Sequence, residues 1–315
     1  MGIVVLTGAS GFVGSHTASR LLADGWNVRV LLRDRSSTEM VPDGCCIRRV
    51  DFFDEKSLSG ALEACDAIIH AAGAVKAGSQ EEFDRVNALV TAKLLNARTS
   101  SAPGSRFVLV SSQAATGPEG AGGPVTAYGR SKLLGEMTLQ GKNNWVIVRP
   151  PAVFGPGDRA SAPMFKAASR GFLVTPWTRG RFALIYAPDL ADLLVRLTTA
   201  EGVEGQVLEP SYGYGLTWQE FHEVLQRAAD RRILHVRVPP ALVLAAAFTA
   251  EVLSSISGSC AFLTRDKCRE LLAKSWAVEE RRTTELTGWE PSMPLEDALR
   301  ETLQGRTQVC QVTRC

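Results

Sequence analysis

Over the first 150 residues of this 315-residue chain, short apolar runs alternate with segments whose apolar positions recur every three or four residues. The runs GIVVLT (2–7), NVRVLL (27–32), CIRRVDF (46–52), DAIIHAA (66–72), SRFVLVSS (105–112) and NWVIVRP (144–150) read as strands. Between them, GSHTASRLLADG (14–25), EEFDRVNALVTAKLLNA (81–97) and TAYGRSKLLGEMTLQ (126–140) read as helices. In the second of these, Phe83, Val86, Val90, Leu94 and Leu95 fall on one face. Strands separated by helices predict right-handed crossovers and a parallel, doubly wound α/β sheet. Ligands of such sheets lie beyond the carboxyl ends of the strands. The chemistry is therefore expected just after residues 7, 32, 52, 72, 112 and 150.

From residue 151 the pattern becomes irregular, with helices expected at 189–200, 217–229, 240–257, 265–274 and 294–304. Residues 151–315 read as a smaller, mixed α/β substrate lobe, interleaved with the 1–150 domain and covering the sheet's carboxyl edge. No internal repeat or low-complexity linker divides the chain. The stretch 238–264 is nearly uncharged, interrupted only by Glu251. Its two uncharged halves are 13 residues each, short of the roughly 20 needed to span a bilayer. No transmembrane span is expected; a core helix, a lid over an apolar pocket and a shallow membrane contact remain as readings. The tail RTQVCQVTRC (306–315) has no pattern and is compatible with disorder.

Between the first strand and the first helix, TGASGFVGS carries Gly8, Gly11 and Gly14, with Phe12 and Val13 entering the helix. Glycines there permit a tight turn and close backbone approach to a pyrophosphate, which the helix N-terminus favours. The spacing is GxxGxxG; its position after the first strand makes it a dinucleotide signal. At the second strand's tip an acidic residue would hold the ribose hydroxyls of NAD. Leu32 stands there instead, followed by Arg33, whose guanidinium suits a 2′-phosphate. NADP(H) is thus favoured, with NAD(H) as the alternative. Asp51, with Phe52 beside it, is placed to meet the adenine, and Ala71, Ala72 and Gly73 are small enough for a cofactor to lie against the fourth strand.

Composition narrows the partners rather than the chemistry. Hydrophobic residues make up 45% and charged residues 22%, and the formal net charge is +2, which gives no electrostatic case for nucleic acid. The seven cysteines (Cys45, Cys46, Cys65, Cys260, Cys268, Cys310 and Cys315) form no metal-ligand spacing, so no metal is expected, and they read as thiols of a reducing compartment. The chain opens at once on an apolar run without a basic n-region, so a cytoplasmic location is expected.

The segment AYGRSKLLGE (127–136) places Tyr128 four residues before Lys132, on one helix face. Taken with TGASGFVG, HAAG (70–73), Ser111-Ser112, RPPAVFGPGD (149–158) and IYAPDLADLL (185–194), the chain resembles the extended short-chain dehydrogenases/reductases over nearly its whole length. The resemblance implies a Rossmann-type domain, a nicotinamide cofactor and a catalytic Ser112–Tyr128–Lys132 group, with Asn87 at a position that is often asparagine in the family. Pro150 and Val153 fall in the signature loop and complete the expected cofactor contacts. Family members often dimerise through the helices around 81–97 and 126–140.

A free tyrosine has a pKa of about 10, and a neighbouring ammonium together with an oxidised nicotinamide ring is expected to lower it. Tyr128 would then exchange a proton with the substrate oxygen while Ser112 stabilises charge on it. Gln113-Ala114 follow Ser112 where sugar-nucleotide dehydratases carry acids, which argues against dehydration. Phe182 rather than Arg181 stands in the register of the arginine common in sugar-nucleotide epimerases, although Arg179 and Arg181 are near. The carboxy-terminal segments resemble 3β-hydroxysteroid dehydrogenase-like and dihydroflavonol-reductase-like members. The expected activity is therefore NADP(H)-dependent interconversion of a secondary alcohol and a ketone on a largely apolar molecule. The alternatives are a nucleotide-sugar epimerase and a non-catalytic NADP-binding sensor or assembly subunit.

Overall fold

The computed structural model describes residues 2–120, 122–257, 265–273, 275–278 and 281–305. The first half of the chain lays down β1 (Ile3–Thr7), α1 (Phe12–Ala23), β2 (Asn27–Leu32), β3 (Cys46–Arg49), α2 (Glu55–Leu62) and β4 (Ala67–His70). A long helical run then comprises α3 (Gln80–Asp84), a π-helical turn (Arg85–Leu89) and α4 (Val90–Ser101). It is followed by β5 (Arg106–Val110), α5 (Ala127–Met137) and β6 (Trp145–Val148). The second half begins with β7 (Ala152–Phe154), α6 (Ala162–Ser169), β8 (Phe172–Pro176), β9 (Arg181–Phe182), β10 (Leu184–Tyr186) and α7 (Ala187–Arg196). It continues with β11 (Gln206–Leu208), β12 (Leu216–Thr217), α8 (Trp218–Ala229), β13 (Leu234–Val238) and α9 (Pro240–Ser257). The last elements are α10 (Arg265–Leu272), β14 (Ser275–Trp276), α11 (Arg281–Thr287) and α12 (Leu295–Gln304).

The main sheet has seven parallel strands in the order β3-β2-β1-β4-β5-β6-β11. Its central strands are apolar on both faces because both are covered, as a parallel sheet requires. Successive residues alternate between two cores. Val4 and Leu6 join Ala18, Leu21, Leu190 and Leu194 under α1 and α7. Val5, Ile68 and Leu109 join Leu58, Leu62, Leu94 and Leu95 under α2 and α4. The order of strands reverses between β1 and β4, so their carboxyl ends open a crevice there. A third core, with Phe154, Phe165, Tyr186, Phe221 and Leu299, gathers residues from the second half of the chain into a lobe of their own.

The expected α/β architecture is present, with four differences of detail. Helix α2 escaped the periodicity reading because its eight residues bury only Leu58, Ala61 and Leu62; Asp54 starts it by accepting from the amides of Lys56 (3.1 Å) and Ser57 (3.3 Å). The third strand stops at Arg49 rather than at 52, since Asp51 turns the chain by accepting from the Phe53 amide at 2.9 Å. Beyond residue 150, α7 and β11 return to the main sheet, α7 packing on α1's side and β11 pairing with β6. Finally, α9 is not the core helix that was one reading of 240–257: Leu242 is 60% exposed and Phe248 54%. Residues 258–264 and the tail 306–315 lie outside the described residues. Cys45, Cys46 and Cys65 are free thiols, and Cys260, Cys310 and Cys315 lie outside the described residues. No helix among the described residues is long and apolar enough to cross a membrane.

Helix α7, which packs on the main sheet, is tied to later segments of the chain at Asp189, in its first turn and almost wholly buried. Its carboxylate accepts from the Tyr212 hydroxyl at 2.6 Å and from the Ser292 amide at 2.9 Å and hydroxyl at 2.5 Å. Asp189→Ala strands those buried donors and is expected to cost about 2–4 kcal/mol of stability. Denaturant unfolding followed by circular dichroism measures it; a loss below about 1 kcal/mol would show that water replaces the carboxylate.

Candidate active site

The β1–α1 turn is closed to the point where side chains do not fit. Gly8 has φ +81°, and a Cβ there would lie 2.6 Å from the Ala71 carbonyl carbon and the Ala72 nitrogen. A Cβ at Gly14 would come 2.1 Å from the Gly8 oxygen, whereas one at Gly11 would meet that oxygen at 3.2 Å. The Gly11 amide closes the turn on the Gly8 oxygen at 2.9 Å. Gly11 caps α1 without a side-chain bond, and no acidic residue occupies the helix's first turn. This is a cradle shaped for an anion at a helix N-terminus. Phe12 and Val13, half-buried, form its helical wall, and Phe12 packs edge-on against His16 at 5.4 Å. His16 in turn reaches the Pro156 oxygen at 3.0 Å, which ties the turn to the loop after β7.

The groups expected to read the adenosine end lie along the tips of β2 and β3. Leu32 is buried and Arg33 is exposed. The loop beyond is shaped by Arg49, which donates to the carbonyls of Arg33 (2.8 Å), Asp34 (2.5 Å) and Ser36 (3.2 Å). Arg49 escaped the sequence reading because only the fold brings β3 beside that loop. Asp51 is exposed. The Phe52 side chain packs into the α2–α4 core, so any contact it makes with a ligand is through its main chain.

A chain of buried polar groups links the sheet to the catalytic helix. The Ala72 amide donates to Thr7 Oγ1 at 3.2 Å, and that hydroxyl is 2.7 Å from His70 Nδ1. His70 Nε2 lies 3.2 Å from Thr91 Oγ1, which donates to the Asn87 oxygen at 2.7 Å. With Thr91 donating onward, the imidazole's own proton belongs on Nε2. Burial, aided by the Lys132 charge, pushes His70 down to about 3, so it is neutral. Asn87, in the π-helical turn, accepts from the Ala74 amide at 2.8 Å and donates to the Ala74 oxygen (3.0 Å) and Ser131 Oγ (2.8 Å). Its amide is thus committed to framing Gly73–Ala74 and α5.

Helix α5 starts at Thr126, whose hydroxyl accepts from the Gly129 amide at 3.1 Å. One turn on, Tyr128 and Lys132 share the face toward the β5 end. Ser112 lines the same cavity as Tyr128 and lowers its phenol's pKa, and its hydroxyl accepts from the Ala114 amide at 3.2 Å. Lys132 Nζ donates to the Val110 oxygen at 2.7 Å and would lie 3.6 Å from a Cβ at Gly73. The three expected catalytic residues are therefore gathered beside the Ala71–Gly73 strand end. Their proton affinities differ from expectation. Burial pushes the Tyr128 phenol up to about 12, Ser112 opposes this, and the Glu270 carboxylate adds to it. Burial pulls Lys132 down to about 8, against the favourable charge of Glu136. In the free protein Lys132 is spent on a carbonyl, so burial dominates and the phenol stays protonated.

Pro150 is buried, its oxygen accepting from the Gln113 amide at 3.0 Å. Beyond it a cavity of about 280 Å³ opens between Ser112, Tyr128 and Val153 on the sheet side and Met164, Phe165, Phe182, Trp218 and Trp276 in the lobe. Arg181 lies in its wall but is turned to Glu220 (3.1 Å) and the Gly215 oxygen (2.8 Å), and Arg179 does not line it. Phe182 stacks on Trp218 with centroids 4.2 Å apart. The Gln113 amide is anchored to the Trp276 oxygen at 2.9 Å. Glu270 of α10 lines the same cavity as Tyr128, and its charge bears on the phenol. It accepts from Thr126 Oγ1 at 3.0 Å and from Lys267 at 2.8 Å. Its distance in sequence left no signal that would have found it.

A glycine cradle at the switch point of a parallel sheet, beside a Ser–Tyr–Lys cluster, defines the class: a nicotinamide-dependent α/β oxidoreductase. Residues 4–209 match the model of the NAD dependent epimerase/dehydratase family, and the chain belongs to it, as an extended short-chain dehydrogenase/reductase. A protein of Caulobacter vibrioides described as ceramide reductase is 31% identical over 284 residues, covering 87% of this chain and 86% of its own. A UDP-glucose 4-epimerase of Vibrio cholerae is 24% identical, over 97% and 95% of the two chains. In fold, the crystal structure of the UDP-glucose 4-epimerase of Thermotoga maritima superimposes with a TM-score of 0.74 at 18% identity, covering 96% of this chain and 98% of that one.

Proposed function

We propose that the protein is an NADP(H)-dependent reductase or dehydrogenase that interconverts a ketone and a secondary alcohol on a largely apolar molecule. The observation that carries this reading is the lining of the cavity above Tyr128, which is mostly aliphatic and aromatic, with its one arginine, Arg181, paired with Glu220 and its one lysine, Lys267, paired with Glu270. A diphosphate there would meet no uncommitted guanidinium of that wall. The similarity to a ceramide reductase supports an apolar substrate. The similarity to UDP-glucose 4-epimerases supports the rival reading, a nucleotide-sugar epimerase, and the assay below separates the two.

The cofactor supplies or accepts the hydride; the remaining work is done by the chain's own groups. The Gly8–Gly14 turn would hold the pyrophosphate and Arg33 the 2′-phosphate. Lys132 would hold the ribose, exchanging the Val110 carbonyl for it and bringing its charge nearer the phenol. Ser112 donates to the substrate oxygen. Tyr128, protonated in the free protein, is ready to give a proton to an alkoxide as it forms. The lobe's apolar walls keep water from that oxygen.

Tyr128→Phe is expected to lower ketone reduction about 10²–10⁴-fold while NADPH affinity stays within a few-fold. Stopped-flow reduction of a hydrophobic ketone, with UDP-glucose and UDP-galactose interconversion run in parallel, reads both. Epimerisation without ketone reduction would overturn the reductase assignment. Arg33→Ala is expected to weaken NADPH about 10- to 100-fold and NADH little, by fluorescence titration; equal losses would remove the 2′-phosphate role. Lys132 carries its charge below about 8 and loses it above. Affinity for the cofactor should therefore decline as pH rises through that value, and Lys132→Met should flatten the profile.

A further inference from the structure

Away from the active site, the lobe exposes apolar side chains where a water-soluble surface would place polar ones. Strands β8 and β13 pair in parallel, Phe172 beside Leu234 and Val174 beside Val236. Leu173 and Thr175 turn inward, and the other face presents Phe172 (50% exposed), Val174 (58%) and Leu234 (60%). Trp177, 62% exposed, follows directly and donates from its amide to the Val238 oxygen at 2.8 Å. There α9 begins, and its stretch 240–250 contains no charged residue. Ala247 is buried and Cys268 of α10 touches the Val243 oxygen, while Leu242, Leu244 and Phe248 face outward. Helices apolar on all sides belong in a core or in lipid, and a patch of this kind marks an interaction surface.

The charge around it identifies the partner. The segments 160–188 and 231–250 carry Lys166, Arg170, Arg179, Arg181, Arg231, Arg232 and Arg237, and no Asp or Glu. In a chain with 35 basic and 33 acidic residues, that is a local imbalance. Among the described residues only Arg181 of the seven takes part in an ion pair. The other six are exposed; Arg170 and Arg232 each stand two residues before the ribbon's first outward side chains, whereas Arg237, in register with Thr175, lies on the other face and donates to Gln219. An apolar face fringed by unpaired cations is complementary to a lipid surface with anionic headgroups. We propose that β8, β13 and α9 seat the protein on such a bilayer surface, without spanning it.

The patch adjoins the cavity. Thr178 and Gly180, just beyond Trp177, line the cavity, as do Lys267 and Leu271 of α10, the helix that packs on α9. At about 280 Å³ the cavity lies at the small end of ligand pockets, roughly 300–1,000 Å³. On the reductase reading, a long apolar substrate would enter by its reacting end while the remainder stays in the lipid. The docking itself rests on the surface alone, and its test involves no turnover.

Full-length protein is sedimented with vesicles of phosphatidylcholine, or of phosphatidylcholine and phosphatidylglycerol in equal parts. Co-sedimentation is expected with the anionic vesicles and should fall as salt is raised. Phe172→Ser with Leu234→Ser should weaken it more than about tenfold, and Arg170→Glu with Arg232→Glu should do likewise. The thermal unfolding midpoint should fall by no more than a few degrees, because Phe172 and Leu234 are already at least half exposed. Failure of the unaltered protein to bind anionic vesicles, or binding indifferent to both pairs of substitutions, would overturn the proposal. So would light scattering that shows a dimer broken by Phe172→Ser with Leu234→Ser, which would assign the face to a second copy.

Discussion

The site depends on one continuous line of buried hydrogen bonds, from the Ala72 amide through Thr7, His70 and Thr91 to the Asn87 carbonyl. The five members of this line come from four places that must agree in position: the end of β1, the end of β4, the π-helical turn and α4. A buried polar chain of this length is stabilising only when every member is satisfied. A neutral His70 meets that condition, with one ring nitrogen accepting and the other donating. The amide of Asn87 then extends the line to Ser131, whose hydroxyl donates to the Tyr128 carbonyl at 2.7 Å. The strand ends that hold a cofactor and the helix that holds the phenol are thereby fixed against each other. The close approach of α5 follows as well: a Cβ at Gly135 would lie 2.7 Å from the Asn87 oxygen.

A second linkage runs from the lobe back to the same helix. Gln113, next to Ser112, is held by the carbonyl of Trp276, and Thr126, two residues before Tyr128, is held by Glu270. Trp276 donates its indole proton to the Glu270 oxygen at 2.7 Å, so the two anchors form one unit. The segment α10–β14 therefore bears on both sides of the reacting position. A substrate that displaces this segment must also disturb the hydroxyl and phenol expected to meet its oxygen, which couples the shape of the bound molecule to the chemistry.

The parallel sheet and the ordered motifs were legible in the sequence because they are local. Apolar runs such as VVL and AIIH, the glycine turn, and Tyr128 with Lys132 each announce themselves within a few residues. Arg49, Glu270 and Asp189's partners did not, because their roles come from contacts between residues brought together by the fold: Asp189 with Ser292, or Thr126 with Glu270 across 144 positions. Helix α2 was invisible for another reason, since eight residues with Gly60 and three buried positions give too little periodicity. Phe52 was placed at the cofactor by its register at the strand's end, but the turn made by Asp51 sends its ring into the core.

The most informative disagreement concerns protons. The sequence places Lys132 beside Tyr128 and predicts a phenol lowered by that ammonium together with an oxidised nicotinamide ring; in the free protein burial raises the phenol and lowers the amine. Both shifts have the same cause, the removal of water from ionised forms. Glu136, the carboxylate that favours a charged Lys132, is largely committed elsewhere: it accepts from Arg149 at 2.6 and 3.0 Å and from Ser111 at 2.5 Å. Lys132 is thus the adjustable member of the pair, with Val110 as its resting partner. Moving its ammonium from that carbonyl toward the phenol would strengthen its stabilisation of the phenolate, since charge interactions grow as separation and dielectric fall. A resting site that keeps the phenol protonated suits proton delivery to a ketone, and the reverse reaction requires that movement first.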